Sequence, residues 1–375
     1  MSEVEAHMQE IRLLDLGLCS HIKSQTLYHA VASSLGPDDP NTIILCRPRR
    51  PYVCIGRHQE LHHEVDADAC RRLRLPILRR EVGGGAVYLD RDQLFFQLVW
   101  QPREMPARIT DAFEYFARGP VACYQALGIS GAHFAPVNDL QVAGRKIGGL
   151  GAASIGKAFV FVGSIITAFD ARAAASVLRI PDEKLRDKVA QTMESYVSSL
   201  NRELGHRPSV RTVRQELVGA FERTLGTTIV HGELRDSERV AYRRWVTQMR
   251  SPAWIDQVRM APDHLKALRI TGNVRLGHAI HKAVGGLLRV TVVVADGQIT
   301  SALISGDFYA VGDALERVGQ ALLGPADLNQ VSARVRTEWP DAAIPGVAPQ
   351  DLIETVGLAL APVSQSTISV DNWLG

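Results

Sequence analysis

RREVGGGAVYLD, residues 79–90, sets three successive glycines between a basic pair and a short apolar run. Gly83, Gly84 and Gly85 have no side chains to cover their backbone N–H groups, so an anion can approach closely. Arg80 stands just upstream, where it can add a charge-assisted contact. Read this way, the segment holds a phosphate or a carboxylate. The same residues also read as a plain glycine hairpin between two strands, since glycine runs are turn chemistry. Neither a GxxxxGK[ST] loop nor a GxGxxG dinucleotide turn is present. Outward from the glycines, AVYLD (86–90) and QLFFQLVW (93–100) read as a strand pair joined tightly at Arg91-Asp92. Upstream, TIILCRP (42–48) and PYVCIG (51–56) are two further short strands.

A second glycine-rich segment, NDLQVAGRKIGGLG (138–151), reads as two strand pieces around a Gly-Arg turn. Lys146 follows that turn. It reads either as a cleft lysine that neutralises a phosphate or polarises a carbonyl, or as a surface charge at a strand start. Asp139 reads as a magnesium ligand or as part of a turn device with Asn138. KAFVFVGSIITAFD (157–170) is apolar enough for a buried central strand. Asp111 is placed to cap a helix through AFEYFARGPVACYQAL, which Pro120 should bend or restart. Residues 209–250 read as helical, with Ser209 as cap. A linker falls at 251–271. Beyond it, LLRVTVVVADGQITSALISGDF (287–308) forms a hairpin about Asp296-Gly297, followed by helices at 312–324, ended by Gly324, and at 351–360. Strands and helices mixed in this way make an α+β protein.

Composition narrows the function classes. The 375 residues carry 42 Lys+Arg against 40 Asp+Glu, a formal charge of +2, so no global field favours a nucleic acid or a membrane surface. No apolar run reaches the ~18 residues of a membrane span. The N-terminus MSEVEAHMQEIRLLDLG is acidic and lacks a signal-peptide layout, so a cytoplasmic location is expected. The five cysteines, at 19, 46, 54, 70 and 123, include no CxxC pair, which argues against both a disulfide framework and a cysteine zinc site. His62-His63 and His278/His281 lack a companion acid at metal spacing, and no GxSxG or HExxH motif occurs. Arg47, Arg49, Arg50, Arg57 and His58 form either an anion-facing rim or ordinary solvated charge.

Taken together, Arg79-Arg80-x-x-Gly83-Gly84-Gly85-Ala86-Val87-Tyr88-x-Asp90 and Asn138-Asp139…Gly144-Arg145-Lys146-Ile147-x-Gly149 resemble the signature of the lipoate–protein ligase family, within the biotin/lipoate ligase superfamily. PYVCIGRHQ (51–59) resembles the strand-then-Gly-Arg segment that precedes them in that family. The resemblance implies a large catalytic domain of mixed β-sheets flanked by helices (1–250), the linker at 251–271, and a small α+β accessory domain (272–375) that takes part in activation. It implies that lipoate and ATP, with Mg2+, give lipoyl-AMP and pyrophosphate, and that the lipoyl group then passes to a lysine of an acceptor protein. It places Lys146 as the catalytic residue bridging phosphate and lipoyl carboxylate. Arg80, Gly83, Gly84, Gly85, Ala86, Val87, Tyr88, Asn138 and Asp139 would surround ATP and lipoyl-AMP, with Asp139 as metal ligand. Arg57, Val82, Ile147 and Gly149 would line the lipoyl pocket. The implied acceptors are a carrier like the glycine-cleavage H protein, a lipoyl domain of a dehydrogenase complex, or a sulfur-oxidation lipoate-binding protein.

The chain departs from the family pattern at several points. Glu81-Val82 stand where Ser or Thr is frequent, and Leu89 where His is frequent. Phe161-Val162-Gly163-Ser164 replace a His-His-Gly-Thr-like segment, and Tyr28-His29-Ala30-Val31 lacks an acidic pair. Two other functions compete. An octanoyl- or lipoyl-transferase of the same superfamily needs a thiolate to carry the acyl group. Its cysteine lies about fifteen residues before the lysine or downstream of it, whereas Cys123 lies 23 positions before Lys146 and nothing after it is cysteine. A non-catalytic lipoate-binding scaffold would not need the retained Arg80, glycines and Lys146.

Overall fold

The computed structural model describes residues 10–179, 186–260, 274–310, 312–339 and 344–361, with side chains of 186–190 excepted. The first nine residues and the linker stretch 261–271 lie outside these. The chain forms two compact units, Met1–Val258 and Arg259–Gly375.

In the first unit, β1 (Ile11–Cys19) leads through helix α1 (His21–Ser33), capped by the Ser20 side chain, to β2 (Thr42–Pro48), which pairs with β1 in parallel. β3 (Tyr52–Ile55), β4 (Ile77–Arg79) and β5 (Val87–Leu89) follow, then β6 (Gln93–Trp100) and helix α4 (Ile109–Ala126), with short helices α2 (Leu61–Glu64) and α3 (Ala67–Leu73) before β4. β7 (His133–Ala135), β8 (Asp139–Val142), β9 (Arg145–Ile155) and β10 (Ala158–Ile166) come next. Helices α5 (Ala171–Val177), α6 (Arg186–Tyr196), α7 (Leu200–Leu204) and α8 (Val210–Leu225), strand β11 (Ile229–His231) and helices α9 (Asp236–Arg250) and α10 (Pro252–Ile255) complete the unit.

Among the described residues, the strands make a mixed eight-stranded sheet in the order β11-β1-β2-β6-β10-β9-β8-β7 and a three-stranded sheet β4-β3-β5. α1 and α9 cover one face of the large sheet, where Leu27, Val31 and Met249 pack on Leu14, Ile44 and Val160. α4 and α8 pack together on the other face, through the aromatic cluster Phe96, Phe113, Phe116, Phe161 and Phe221.

Several expectations need correction. AVYLD and QLFFQLVW are not a hairpin. Val87 pairs with Cys54 in the small sheet, whereas all eight residues of β6 are buried, so β6 takes a central place between β2 and β10. This apparent turn instead carries the chain from one sheet to the other. Pro120 does not restart its helix: α4 is continuous, with Arg108 as N-cap and Asp111 in the first turn. Burial of Phe113, Phe116, Pro120 and Tyr124 along one face holds it together. The 209–250 region begins as expected, with the Ser209 hydroxyl accepting from Thr212 N–H, but β11 interrupts it by pairing with β1. Residues 251–258 are built into the first unit. Trp254 is buried, and the carbonyl of Ile255 accepts from Arg79.

The second unit is an antiparallel sheet, β12 (Val274–Ala283), β13 (Gly286–Ala295), β14 (Gln298–Gly306) and β15 (Gly324–Pro325), in that order. Helices Ala314–Ala321, Leu328–Glu338 and Pro349–Leu360 supply Val318, Val331, Val335 and Leu352 to its core. Asp296 and Gly297 take φ of 47° and 72° at the expected hairpin turn. Gly324 does not end a helix; it opens β15, paired with Ile299. The protein is therefore α+β, a large unit of mixed sheets and helices and a smaller α+β unit.

Candidate functional site

The two arginines before the glycines do different work. Arg79 is fully buried, and its guanidinium donates to the carbonyls of Gly56, Arg57, Gln59 and Ile255 at 2.6–3.1 Å. Burial, reinforced by Arg57, pushes its pKa down to about 10. It is a structural hub. Arg80 donates to Cys54 O at 3.2 Å, Gly83 O at 2.9 Å and Gly85 O at 2.8 Å, and so holds the glycine loop by its carbonyls. None of the N–H groups of Gly83, Gly84 and Gly85 donates to another described residue. Amides left unpaired in this way are able to receive an anion. Gly84 takes φ +93°, and a Cβ on Gly56 would stand 2.0 Å from Gly84 O, so both positions require glycine for the loop to lie where it does.

His29 buttresses the loop from behind. Its Nδ1–H donates to Gln25 O at 2.7 Å, while Nε2 accepts the Glu81 N–H at 3.4 Å. These partners assign the neutral tautomer. Burial keeps it neutral, lowering its pKa to about 3. Tyr28 and Trp245 flank its ring with centroids at 4.0 and 4.8 Å. Sequence reasoning missed this role; the only signal was that the Tyr28-His29-Ala30-Val31 segment lacks an acidic pair. Outside the loop, Arg57 pairs with Glu81 at 3.2 Å and lies over the Trp254 ring at 5.3 Å. The Trp254 indole in turn donates to Arg79 O at 3.0 Å.

The lysine corner is built by the β8–β9 hairpin, whose turn residues Ala143 and Gly144 take φ of 47° and 73°. Lys146 Nζ lies 2.6 Å from Asp139 Oδ1, and Tyr196 Oη–H donates to Asp139 Oδ2 at 3.2 Å. Asn138 Nδ2 donates to Leu150 O at 3.2 Å. The Lys146 carbonyl accepts from Ser198 N–H at 2.7 Å, which ties the corner to the segment after α6.

A cavity of about 450 Å³ joins the two halves, between the large sheet, the glycine loop and β5, and α6. That size suits a small-molecule site. Arg80, Val82, Gly83, Gly84, Gly85, Ala86, Val87, Tyr88, Asn138, Lys146 and Gly149 all line it. Arg57, Asp139 and Ile147 do not. Arg57 is engaged on the outer side of the loop, Asp139 stands behind the lining residues Lys146 and Tyr196, and Ile147 is buried with its carbonyl accepting from Tyr124. The floor has strand periodicity: Gln93, Phe95 and Gln97 of β6, Val162, Ser164 and Ile166 of β10, and Gly149 and Gly151 of β9 share one face. A Cβ on Gly151 would meet Val82 at 2.4 Å, so that glycine admits the Val82 side chain beside the cavity, whereas one on Gly163 would meet Phe96 at 2.4 Å on the opposite face of the sheet. No cysteine lines it, and all five are buried.

The residues do not fit a resident metal. Asp139 Oδ1 is engaged by Lys146, and no group of three His, Cys, Asp or Glu side chains converges among the described residues. No helix among them is long and apolar enough to cross a membrane.

Residues 24–222 match the family model described as the lipoyl protein ligase A/B catalytic domain. An octanoyltransferase LipM from Kyrpidia tusciae is 28% identical over 274 residues, 66% of this chain and 98% of the relative. Lipoate-protein ligase A subunit 1 from Thermoplasma acidophilum is 30% identical over 182 residues, 46% of this chain and 68% of the relative. Among solved structures, a bipartite lipoate protein ligase from T. acidophilum, described together with its E2 lipoyl domain, aligns with a TM-score of 0.62 at 26% identity. The match covers 68% of this chain and 99% of that one. P. falciparum LipL1 in complex with lipoate shares the fold over 92% of this chain and 98% of its own, at 13% identity and a TM-score of 0.64.

Proposed function

This chain belongs to the lipoyl protein ligase A/B catalytic-domain family, and on that premise we propose that it is an ATP-dependent lipoate–protein ligase. The observation that carries this reading is a cavity that presents a lysine and a glycine cradle but no thiol. Relatives named octanoyltransferase supply a second reading. Acyl transfer without nucleotide activation needs a covalent nucleophile. The cysteines here are buried and apart from the cavity, and burial pushes the Cys123 thiol up to about 12 and raises that of Cys54.

In the ligase reading, a lipoate carboxylate oxygen attacks the α-phosphorus of ATP. The bond to the bridging oxygen breaks, pyrophosphate leaves, and lipoyl-AMP forms. The free amides of Gly83–Gly85 face the phosphates, and Lys146 exchanges Asp139 for the phosphate and carboxylate oxygens on which charge accumulates. An acceptor lysine then attacks the acyl carbonyl, AMP departs, the amine loses a proton, and an amide results. Magnesium would arrive with the nucleotide, and no step is assigned to it. The acceptor is a lipoyl domain, a reading supported by the T. acidophilum ligase and its E2 partner. Lys146→Ala tests the assignment. The variant should fold with an unchanged unfolding midpoint and form no lipoyl-AMP; a normal adenylate yield would refute the role of Lys146.

A further inference from the structure

Two residues that line the cavity each carry a buried polar atom with no hydrogen-bond partner among the described residues: Tyr28 Oη and Gln97 Oε1. Their residues are only 1% and 2% exposed. Gln97 Nε2 donates to Ser24 O at 2.6 Å, and a carbonyl accepts only from the amide's NH2, so it is Oε1 that remains unpaired. Tyr28 lies one helical turn beyond Ser24 on α1, hence on the same helix face. Burying two such groups unpaired is costly, and native cores seldom do it.

The place of Gln97 in the floor is fixed by register. Gln97 stands opposite Val162, and Val162 stands opposite Gly151. The Lys146 ammonium is folded back to 3.4 Å from where a Cβ of Gly149 would lie. Gln97 is therefore two strands across and one residue pair along from the lysine head, ~10 Å by ~7 Å. A carboxylate at Lys146 would place the end of an eight-carbon acyl chain beside Gln97, where the α1 face carrying Ser24 and Tyr28 packs.

We infer that Tyr28 and Gln97 form a subsite that selects acyl chains ending in thiols, so that the order of binding is dihydrolipoate, then lipoate, then octanoate. This rests on the ligase reading, which puts the carboxylate at Lys146. Gln97 Oε1 can only accept and needs a donor, while Tyr28 Oη–H can donate. A dithiol meets both needs, one S–H donating to Gln97 and the other sulfur accepting from Tyr28. The cyclic disulfide has acceptors only and leaves Gln97 unpaired. A methyl-ended chain leaves both unpaired, and a site built to hydrogen-bond rejects the analogue that cannot.

The test is calorimetric titration of the full chain with dihydrolipoate under reductant, and with lipoate and octanoate without it. Dihydrolipoate should bind roughly tenfold or more tighter than octanoate, with lipoate between. In Tyr28→Phe/Gln97→Met, which keeps the volumes and removes the polar atoms, octanoate should tighten and the preference should fall to about twofold. If that variant fails to fold, Tyr28→Phe alone and the ranking in the unaltered chain decide. Equal affinity for dihydrolipoate and octanoate overturns the subsite and leaves the ligase reading standing. Lipoate binding tighter than dihydrolipoate overturns the role of Gln97. Binding of none of the three acids removes the ligase reading and the subsite together.

Discussion

Arg79 and Arg80 are adjacent and chemically identical, yet the fold gives them separate tasks. Arg79 joins residues 56–59 to the end of α10, and Arg80 shapes the glycine loop beside the cavity. Sequence alone could rank Arg80 as an anion ligand but not as a ligand for carbonyls, because the loop conformation that creates those acceptors depends on Gly56 and Gly84. His29 carries a measurable consequence. Its folded pKa of about 3 lies below the ordinary 6.5, so the unfolded chain binds the extra proton and stability falls as pH drops from about 6.5 toward 3. At pH 5 the loss from this group is ~2 kcal/mol relative to pH 7. His58, held down to about 4 by burial, acts in the same sense. Urea unfolding at pH 7 and pH 5 should show His29→Gln losing less stability than the unaltered chain. An identical loss in both would mean that His29 is free to protonate in the folded protein.

At the scale of elements, two turns and one helix cap were legible, while the hairpin expected at 86–100 and the cap expected at Asp111 were not found. Asp296-Gly297 turns where expected, the turn expected at Gly144-Arg145 falls one residue earlier at Ala143-Gly144, and Ser209 caps its helix. Strand partners were not legible. β5 and β6 are neighbours in sequence but belong to different sheets, because β6 is buried on both faces and β5 is not. The same local ambiguity hid β11, a three-residue edge strand paired with β1. Most of the residues named from the two glycine motifs line the cavity. The β6 floor was not read from sequence, since Gln93 and Gln97 look like ordinary polar residues until the sheet order aligns them with β10 and β9. The small sheet supports the loop at a contact that can be tested. Gly56→Ala places a Cβ 2.0 Å from a backbone oxygen of Gly84, which no rotamer change relieves, so the loop must move. A loss of 1–3 kcal/mol of stability together with nucleotide binding weakened about tenfold or more is expected. A folded variant that binds nucleotide normally would show that the loop position does not matter.

At the scale of the whole molecule, the cavity and every residue assigned to it belong to the first unit, which closes with Trp254 and Ile255 docked on Arg79. A chain truncated after Val258 should therefore fold and transfer the acyl group from supplied lipoyl-AMP, whereas one ending before Trp254 should lose stability by uncovering Arg79. We propose that activation with ATP needs the second unit, so the chain ending at Val258 should fail to make lipoyl-AMP. Full ATP-dependent activity without residues 259–375 would dismiss that division of labour. The central claim is adenylate formation, and the most direct measurement is mass spectrometry of the full chain incubated with lipoate, ATP and magnesium, with and without an acceptor lipoyl domain. The account predicts lipoyl-AMP in the first sample and an acceptor heavier by one lipoyl group in the second. Absence of lipoyl-AMP, with acyl transfer from an octanoyl thioester proceeding without ATP, would contradict it.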